Sequence, residues 1–113
     1  MADYHGIMTY CEIIDGKLPL ISREVLGCGR MLADALGQEL STVLVGSDVG
    51  SVAQEASAFG ADKAYVVDDP QLKEYQMDAY VSVMEKVVRR VLPRILILGQ
   101  TSVGRDLAPT LAF

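Results

Sequence analysis

The segment from Gly99 to Asp106 has the residue types and spacing closest to those of a phosphate-binding loop. It follows a predicted buried strand and opens a predicted helix, where backbone N–H groups can bind an anion. Gly99 and Gly104 have the GxxxxG spacing, but Arg105-Asp106 stands where that motif requires Lys-Ser/Thr. The missing hydroxyl removes a magnesium ligand, and the Asp106 carboxylate, as an N-cap, would occupy the place of a phosphate. The sequence therefore disfavours a triphosphatase.

Two interpretations of this segment stay open. It is either a structural or partner-docking loop, or a nucleotide contact made through Ser102 and Arg105. Glu12, at the end of the first predicted strand, could bind a ribose hydroxyl or Arg105, or could be a solvated or capping acid. The candidate interface or nucleotide-loop residues are Glu12, Gly99, Gln100, Thr101, Ser102, Gly104, Arg105 and Asp106.

The remaining residues do not assemble a catalytic or metal-binding motif. His5 is the single histidine, and Cys11 and Cys28 lie seventeen residues apart without a CxxC pair. Asp68-Asp69-Pro70 is interpreted as the end of a strand, since two adjacent acids lack the ligand set of a hard cation. We therefore expect no catalytic residue and no metal ligand, and a protein that is not itself an enzyme.

The composition excludes several kinds of partner. The chain has 113 residues, with ten Lys and Arg against fifteen Asp and Glu, a net charge of −5 and an isoelectric point near 4.7. Such a chain has no basic stripe for nucleic acid or an anionic membrane. Its apolar runs are far shorter than the roughly 20 residues of a bilayer span. Two cysteines without an export signal favour reduced thiols, so we expect a cytoplasmic protein without membrane insertion.

Four β-type runs alternate with three helical stretches, and these elements must position the candidate residues. Three of the runs are continuously apolar and β-branched, as in strands that are covered on both faces of a parallel sheet. The predicted strands are Ile7–Ile13, Thr42–Gly46, Ala64–Val67 and Ile95–Leu98.

The first helical stretch has Ser22 as its predicted N-cap and Gly37 as its predicted left-handed end. Gly27 and Gly29 inside it indicate a close approach to the sheet, with a merely weak helix as the alternative. The predicted buried stripe consists of Val25, Cys28 or Gly29, Leu32 and Leu36.

The other two helical stretches have similar signals at their ends. The second begins near Asp48–Ser51, where Ser51 and Gln54 have capping-box spacing, and it stops at Gly60. The third begins at Asp78 and ends against Pro93. The predicted buried residues are Val52, Ala56 and Phe59 in the second, and Val81, Met84, Val88 and Val91 in the third.

This order predicts an α/β fold, an open parallel sheet with helices on both faces that is Rossmann-like and adenine-nucleotide-hydrolase-like. The long connection from Asp68 to Met77 suits a chain that crosses back to the other side of strand one. Strands one and four then flank a switch point, where open α/β sheets bind ligands. The uncapped apolar end, Leu107–Phe113, predicts a domain that is incomplete at its C-terminus.

Several segments resemble the alpha subunit of electron-transfer flavoprotein, in its N-terminal domain. The resemblance covers nearly the whole chain in order, and the segment from Gly99 to Pro109 is its most specific part. The matching motifs are Glu12 with Asp15-Gly16-Lys17-Leu18, Glu24-Val25-Leu26-Gly27, Leu32-Ala33-Asp34-Ala35-Leu36-Gly37, Phe59-Gly60-Ala61-Asp62-Lys63, Asp69-Pro70, and Gly99 through Pro109.

The resemblance implies a scaffold that pairs with a beta subunit of the same fold. The parent complex carries electrons from flavoprotein dehydrogenases, such as acyl-CoA dehydrogenases of fatty acid beta-oxidation, to the respiratory chain. Its FAD is held mainly by a separate C-terminal domain, so we expect a truncated N-terminal domain, residues 1–113, that binds no cofactor alone. The rivals are a stand-alone adenine-nucleotide-binding module of the stress-protein type and a nucleotide-hydrolysing enzyme.

Overall fold

A four-stranded parallel sheet forms the centre of the computed structural model, which describes residues 4–99 and Leu107. The strands alternate with helices along the described chain, and a short 3-10 turn at Pro70–Leu72 follows the third strand. The elements are β1 (Ile7–Tyr10), α1 (Leu20–Leu36), β2 (Leu40–Gly46), α2 (Val52–Ala58), β3 (Lys63–Asp68), α3 (Met77–Val91) and β4 (Ile95–Ile97).

The strand order is β3-β2-β1-β4, and all three pairings are parallel. Ile7 in β1 is opposite Leu40 in β2 on one side and Ile95 in β4 on the other. The connection after β3 therefore carries the chain across the sheet to the far side of β1. This order confirms the predicted fold class and the predicted switch point between strands one and four.

The sheet separates two apolar layers, because successive side chains of a strand point to opposite faces. Ile7 and Leu26 belong to the layer beneath α1 and α2, whereas Met8 and Met84 belong to the layer beneath α3. Leu107 is fully buried in the second layer. Helices on both faces are thus confirmed. Among the described residues, no helix is long and apolar enough to cross a membrane.

The start of α1 differs from the prediction. The helix begins at Leu20 after Pro19, whose carbonyl accepts the Ser22 and Arg23 N–H groups, so Ser22 as the N-cap was wrong. The Ser22 hydroxyl instead donates to the Glu12 carbonyl at 2.7 Å. The segment after Tyr10 is held by this hydrogen bond and by the tight turn that pairs Ile14 with Lys17. Strand one therefore ends at Tyr10 and does not reach the predicted Ile13.

The buried face of α1 is rotated from the predicted stripe. Val25 and Gly29 are buried as expected, but Cys28 and Leu36 are exposed. Leu26 and Ala33 take their places. The reason is the helix-to-sheet contact at Gly29, where an added Cβ would lie 2.8 Å from Leu40 Cδ1 and 2.9 Å from Thr9 Cγ2.

The close approach is therefore confirmed for Gly29 and wrong for Gly27, where an added Cβ would meet nothing within 4 Å. The predicted left-handed end is confirmed as well, since Gly37 has a φ of 63°.

The second helix begins at Val52, and no capping box forms, because the Ser51 side chain makes no capping hydrogen bond. Val52 and Ala56 are buried as predicted. Phe59 is 41% exposed, with the Arg23 guanidinium 5.6 Å from its ring centroid. Its predicted burial was wrong because α2 ends before Phe59, which leaves the ring at the surface beside α1.

The third helix begins at Met77, one residue before the predicted start, and Leu92 in the left-handed region ends it before Pro93. Tyr80 and Met84 are the buried residues. The other valines predicted to be buried here are half-buried, because they pack at the margin of the core around Met84; they are Val81, Val88 and Val91.

Replacing Gly29 with alanine is expected to lower the free energy of unfolding by about 1–2 kcal/mol. The new methyl overpacks the buried Leu40 and Thr9 side chains, which outweighs the better helix propensity. Gly27→Ala is the matched control in the same helix and should raise stability by up to about 1 kcal/mol. Urea unfolding followed by circular dichroism measures both. A Gly29→Ala variant as stable as Gly27→Ala would contradict the packing.

Candidate functional site

The carboxyl edge of the sheet brings together two of the predicted candidate residues. Glu12 follows β1 and Gly99 follows β4, and the two strands are adjacent. Glu12 and Gly99 line one narrow cleft, whose other walls are Tyr10, Ile21, Ser22 and Val25. Its volume of about 10 Å³ has room for about one water molecule. Six candidates lie outside the described residues: Gln100, Thr101, Ser102, Gly104, Arg105 and Asp106.

Gly99 lies directly against the first turn of α1. A Cβ added there would be 3.0 Å from Ile21 Cγ1 and 3.5 Å from Val25 Cγ2, so a larger residue would push against the helix. This glycine permits close packing between the end of the sheet and α1. Close packing against α1 is therefore enough to explain a glycine at position 99, without a bound phosphate.

The loop from β1 to α1 is held at several points. The Ser22 hydroxyl binds the Glu12 carbonyl, and the Leu18 N–H donates to the Glu55 carboxylate of α2 at 3.3 Å. Asp15 and Gly16 have φ angles of 52° and 73°, which form the turn that pairs Ile14 with Lys17. These contacts fix the backbone next to Glu12, whose half-buried side chain faces the edge of the sheet.

A second cleft of about 280 Å³ lies on the α3 side of the same edge. Three tyrosines share it: Tyr10 and Tyr80 are buried, and Tyr75 meets Tyr80 edge to face at 4.9 Å between ring centroids. The Tyr80 hydroxyl donates to the Leu72 carbonyl at 2.7 Å. The rim is polar, with Glu12 and Lys73. Sequence reasoning missed these aromatic residues, although tyrosines next to a predicted strand end and in the long connection were the available signal.

Burial raises the pKa of Tyr10 and of Tyr80 above the ordinary tyrosine value, and for Tyr10 the nearby Tyr80 and Glu12 add to the effect. Both phenols are therefore protonated at neutral pH. A neutral aromatic wall with a carboxylate and an ammonium at its rim suits a small planar polar molecule. At about 280 Å³, the part of this cleft that the described residues form is slightly smaller than the roughly 300–1,000 Å³ of typical small-ligand sites.

Cys11, the residue before Glu12, has a buried thiol with a structural role. The Thr42 hydroxyl donates to Cys11 Sγ at 3.1 Å, and Sγ approaches the Ser22 carbonyl at 3.8 Å. Burial raises the pKa of the Cys11 thiol, with an opposing contribution from the Thr42 hydrogen bond. The thiolate, which is the reactive form, is therefore scarce at neutral pH. Cys28 is free and exposed on α1.

The two acids at the end of β3, Asp68 and Asp69, act as structural acceptors. The Asp68 carboxylate accepts the N–H groups of Asp48 at 2.9 Å and Val49 at 3.2 Å, and Asp69 accepts from Gln71 at 2.9 Å. The interpretation of Asp68-Asp69-Pro70 as a strand end is confirmed. Over residues 4–99 and Leu107, no cluster of three histidine, cysteine or acidic residues is placed to hold a metal ion.

These features define the class of the protein as an open, doubly wound α/β domain with a switch point between β1 and β4. A universal stress protein from Archaeoglobus fulgidus has the same fold, with a TM-score of 0.65 at 14% identity over 93% of this chain and 91% of that one. The family model of the electron transfer flavoprotein domain matches residues 7–113, and the chain belongs to this family.

Curated relatives agree with this assignment. The electron transfer flavoprotein subunit alpha of Megasphaera elsdenii is 44% identical over 112 residues, which is 99% of this chain and 33% of that protein. The acryloyl-CoA reductase electron transfer subunit beta of Anaerotignum propionicum is 40% identical over 96% of this chain and 30% of its own length. The resemblance drawn from the sequence is confirmed, and the chain spans about a third of these relatives.

Replacing Ser22 with alanine is expected to cost about 1–2 kcal/mol of unfolding free energy. The partly buried Glu12 carbonyl loses the hydroxyl that binds it at 2.7 Å. Ser51→Ala is the control, since the Ser51 side chain makes no capping hydrogen bond, and it should stay within about 0.5 kcal/mol. Equal losses in the two variants, measured by urea unfolding, would contradict a role for Ser22 in holding this edge.

The two thiols are expected to differ in reactivity. An aromatic disulfide reagent at pH 8 should label the exposed Cys28 within minutes and reach Cys11 only when denaturant is added, because Cys11 is buried and protonated. Cys28→Ser should remove the fast phase and leave the slow one. Rapid labelling of Cys11 in the folded Cys28→Ser variant would show that the edge opens readily.

Proposed function

We propose that this chain is the scaffold and partner-binding domain of an electron-transfer flavoprotein. The observation that carries the proposal is the family match over residues 7–113 together with 44% identity to an alpha subunit along 99% of the chain. The relatives' printed names describe electron-transfer subunits. We infer that this domain, which makes up about a third of such a subunit, supports the subunit's fold and contacts a second subunit.

FAD in the proposed complex is bound by other parts of the assembly. Support comes from the carboxyl edge, where the larger described cleft is about 280 Å³ and the smaller has room for about one water molecule. When bound in the complex, FAD would supply the electron-carrying chemistry. This chain's residues would hold the edge rigid, through the Ser22 bond to the Glu12 carbonyl and the Glu55 bond to the Leu18 N–H.

The proposed partners are a beta subunit and, through the complex, flavoprotein dehydrogenases. One relative is named for an acryloyl-CoA reductase, which is consistent with a dehydrogenase that acts on acyl-CoA substrates. We propose delivery of the electrons to the respiratory chain, a cytoplasmic location and a role as an electron-carrier subunit rather than an enzyme. Glu12 and residues 99–106 are proposed as the part of the edge that faces the partner.

The alternative is a stand-alone adenine-nucleotide module. The tyrosine-lined cleft beside Glu12 and Lys73 favours it, because a planar base could stack there and a ribose hydroxyl could reach the carboxylate. The Gly99 contact with Ile21 weighs against a phosphate loop in this place.

Expressing the complete polypeptide that contains this chain together with the second subunit is expected to yield a one-to-one complex with the visible absorption of FAD. The chain restricted to residues 1–113 should bring down the second subunit without any flavin. Absence of the second subunit from both preparations would contradict the scaffold function.

Titration calorimetry of residues 1–113 with AMP and ATP separates the two candidate functions. The scaffold function predicts no binding below about 1 mM, after a cooperative thermal transition has shown that the chain is folded. Micromolar binding that Glu12→Gln weakens at least tenfold would instead establish the nucleotide module. Lys17→Gln, in the nearby turn, is the matched control for the change of one charge.

A further inference from the structure

The strand β3 is the outer strand of the described sheet, and its backbone is open on one side. The order β3-β2-β1-β4 gives β3 a single neighbour, which is β2. All seven residues of β2 are buried, whereas none of the six residues of β3 is. Val66 is 39% exposed although it lies in the middle of the strand. An edge of this kind offers unpaired backbone groups to another strand.

The register of β2 and β3 identifies the backbone groups on the open side. The Val43 carbonyl accepts the N–H of the residue that follows β1, so the neighbouring Leu44 points its backbone groups at β3. Leu44 is in register with Val66. In a parallel pair a residue bonds the two residues that flank its partner, so the N–H and C=O groups of Val66 point outward. By alternation, those of Ala64 and Asp68 do so too, and no other backbone group in the described part of the chain bonds them.

The two ends of β3 carry opposite charges. Lys63 begins the strand, Asp68 ends it and Asp69 follows, whereas the stretch Ala64–Val67 between them has no charge. An identical strand in antiparallel orientation brings the basic end of each copy beside the acidic end of the other. A parallel copy would place like charges side by side, which destabilises a strand pair. The charges of β3 therefore match those of a second, antiparallel β3.

One register of such a pair uses every outward backbone group. A twofold axis through the pair at Val66 places this residue opposite its own copy, and it places Ala64 opposite Asp68 of the second copy. These three residues are the ones whose N–H and C=O groups point outward. They therefore form hydrogen-bonded pairs across the axis, as in an ordinary antiparallel ladder.

The same register also matches the side chains. Lys63 lies opposite Asp69 of the second copy, and Tyr65 lies opposite Val67, at the positions of an antiparallel pair where side chains approach most closely. Opposite charges, and an aromatic residue facing a β-branched one, both stabilise such pairs. The Lys63 ammonium already has the Glu39 carboxylate at 3.2 Å, and both side chains are exposed, so the lysine can reach a second acid.

We propose that this chain associates with a second copy of itself through antiparallel pairing of the two β3 strands, with Val66 at the twofold axis. The pairing joins the two described four-stranded sheets into one continuous sheet. The inference does not depend on the proposed function, because the partner is the same chain. A pair of six-residue strands buries less than the roughly 1,200–2,000 Å² of a stable interface, so the association is weak and depends on concentration.

Sedimentation velocity over a concentration series tests the pairing. The complete polypeptide that contains this chain should double its mass as its concentration rises, both alone and with the second subunit bound. Val66→Pro removes the central outward N–H of each copy and leaves the bonds to β2 in place, so it should raise the Kd of self-association at least tenfold. Val66→Thr keeps this N–H and should raise the Kd less than threefold. A mass that never doubles, or equal effects of the two variants, would overturn the inference. Failure of the second subunit to bind would overturn only the proposed function.

Disulfide crosslinking tests the register without a proline. Directly opposed residues of a hydrogen-bonded pair have Cα atoms about 5.5 Å apart, which a disulfide can span. In the complete polypeptide with Cys28→Ser, the added change Val66→Cys should give a reducible band of twice the mass under mild oxidation. Ser57→Cys, at an exposed position on α2, is the control for chance collisions and should not. A band of doubled mass that is equally strong in both variants, a crosslink from position 66 to the second subunit, or no crosslink from position 66 would overturn the inference.

Discussion

The burial of β1 on both faces and both sides is the constraint on which the rest of the structure depends. Its residues Ile7–Tyr10 are all buried, and its backbone pairs with β2 on one side and β4 on the other. A central strand can be covered in this way only if helices pack on both faces. The sheet order, the two apolar layers and the meeting of Glu12 with Gly99 all follow from this one position.

Hydrogen bonds from side chains to backbone secure the two edges of the sheet. At the carboxyl edge, Ser22 and Glu55 hold the loop after β1. At the amino edge, Asp62 accepts the Leu40 N–H at 2.9 Å and also pairs with Arg30 at 3.0 Å. The Leu40 hydrogen bond, together with Arg30, lowers the pKa of the Asp62 carboxyl. This exposed ion pair adds little by itself, and the backbone bond that closes the start of β2 matters more.

The existence of the four strands and the left-handed end of α1 at Gly37 could be predicted, because local sequence determines them, and the length of the connection after β3 indicated the strand order. Continuous β-branched runs indicate strands that are covered twice, and Gly37 adopts a conformation that other residues avoid. The phase of α1 could not be predicted, since it depends on the contact of Gly29 with Leu40 and Thr9, residues distant in sequence. Ser22 was misjudged for the same reason, as its acceptor is the Glu12 carbonyl ten residues earlier.

The placement of Glu12 and Gly99 at one edge of the sheet was predicted, whereas the side chains around them were not. Placing Glu12 and Gly99 at one edge required only the strand order. The cluster of Tyr10, Tyr75 and Tyr80 required the path of the connection after β3, which spacing along the chain does not specify. Gly99 has a packing role against Ile21 that a motif comparison does not reveal, because a close contact with a helix and a close contact with a phosphate both call for glycine.

The strands of the sheet are paired over unequal lengths, so their local stability differs. β2 pairs with β3 at six register positions, whereas β4 is joined to β1 at three and its residues are only half-buried. Local opening events start where few bonds must break, so amide hydrogens should exchange from β4 well before β2. Among the described strands, β4 is then the first to separate.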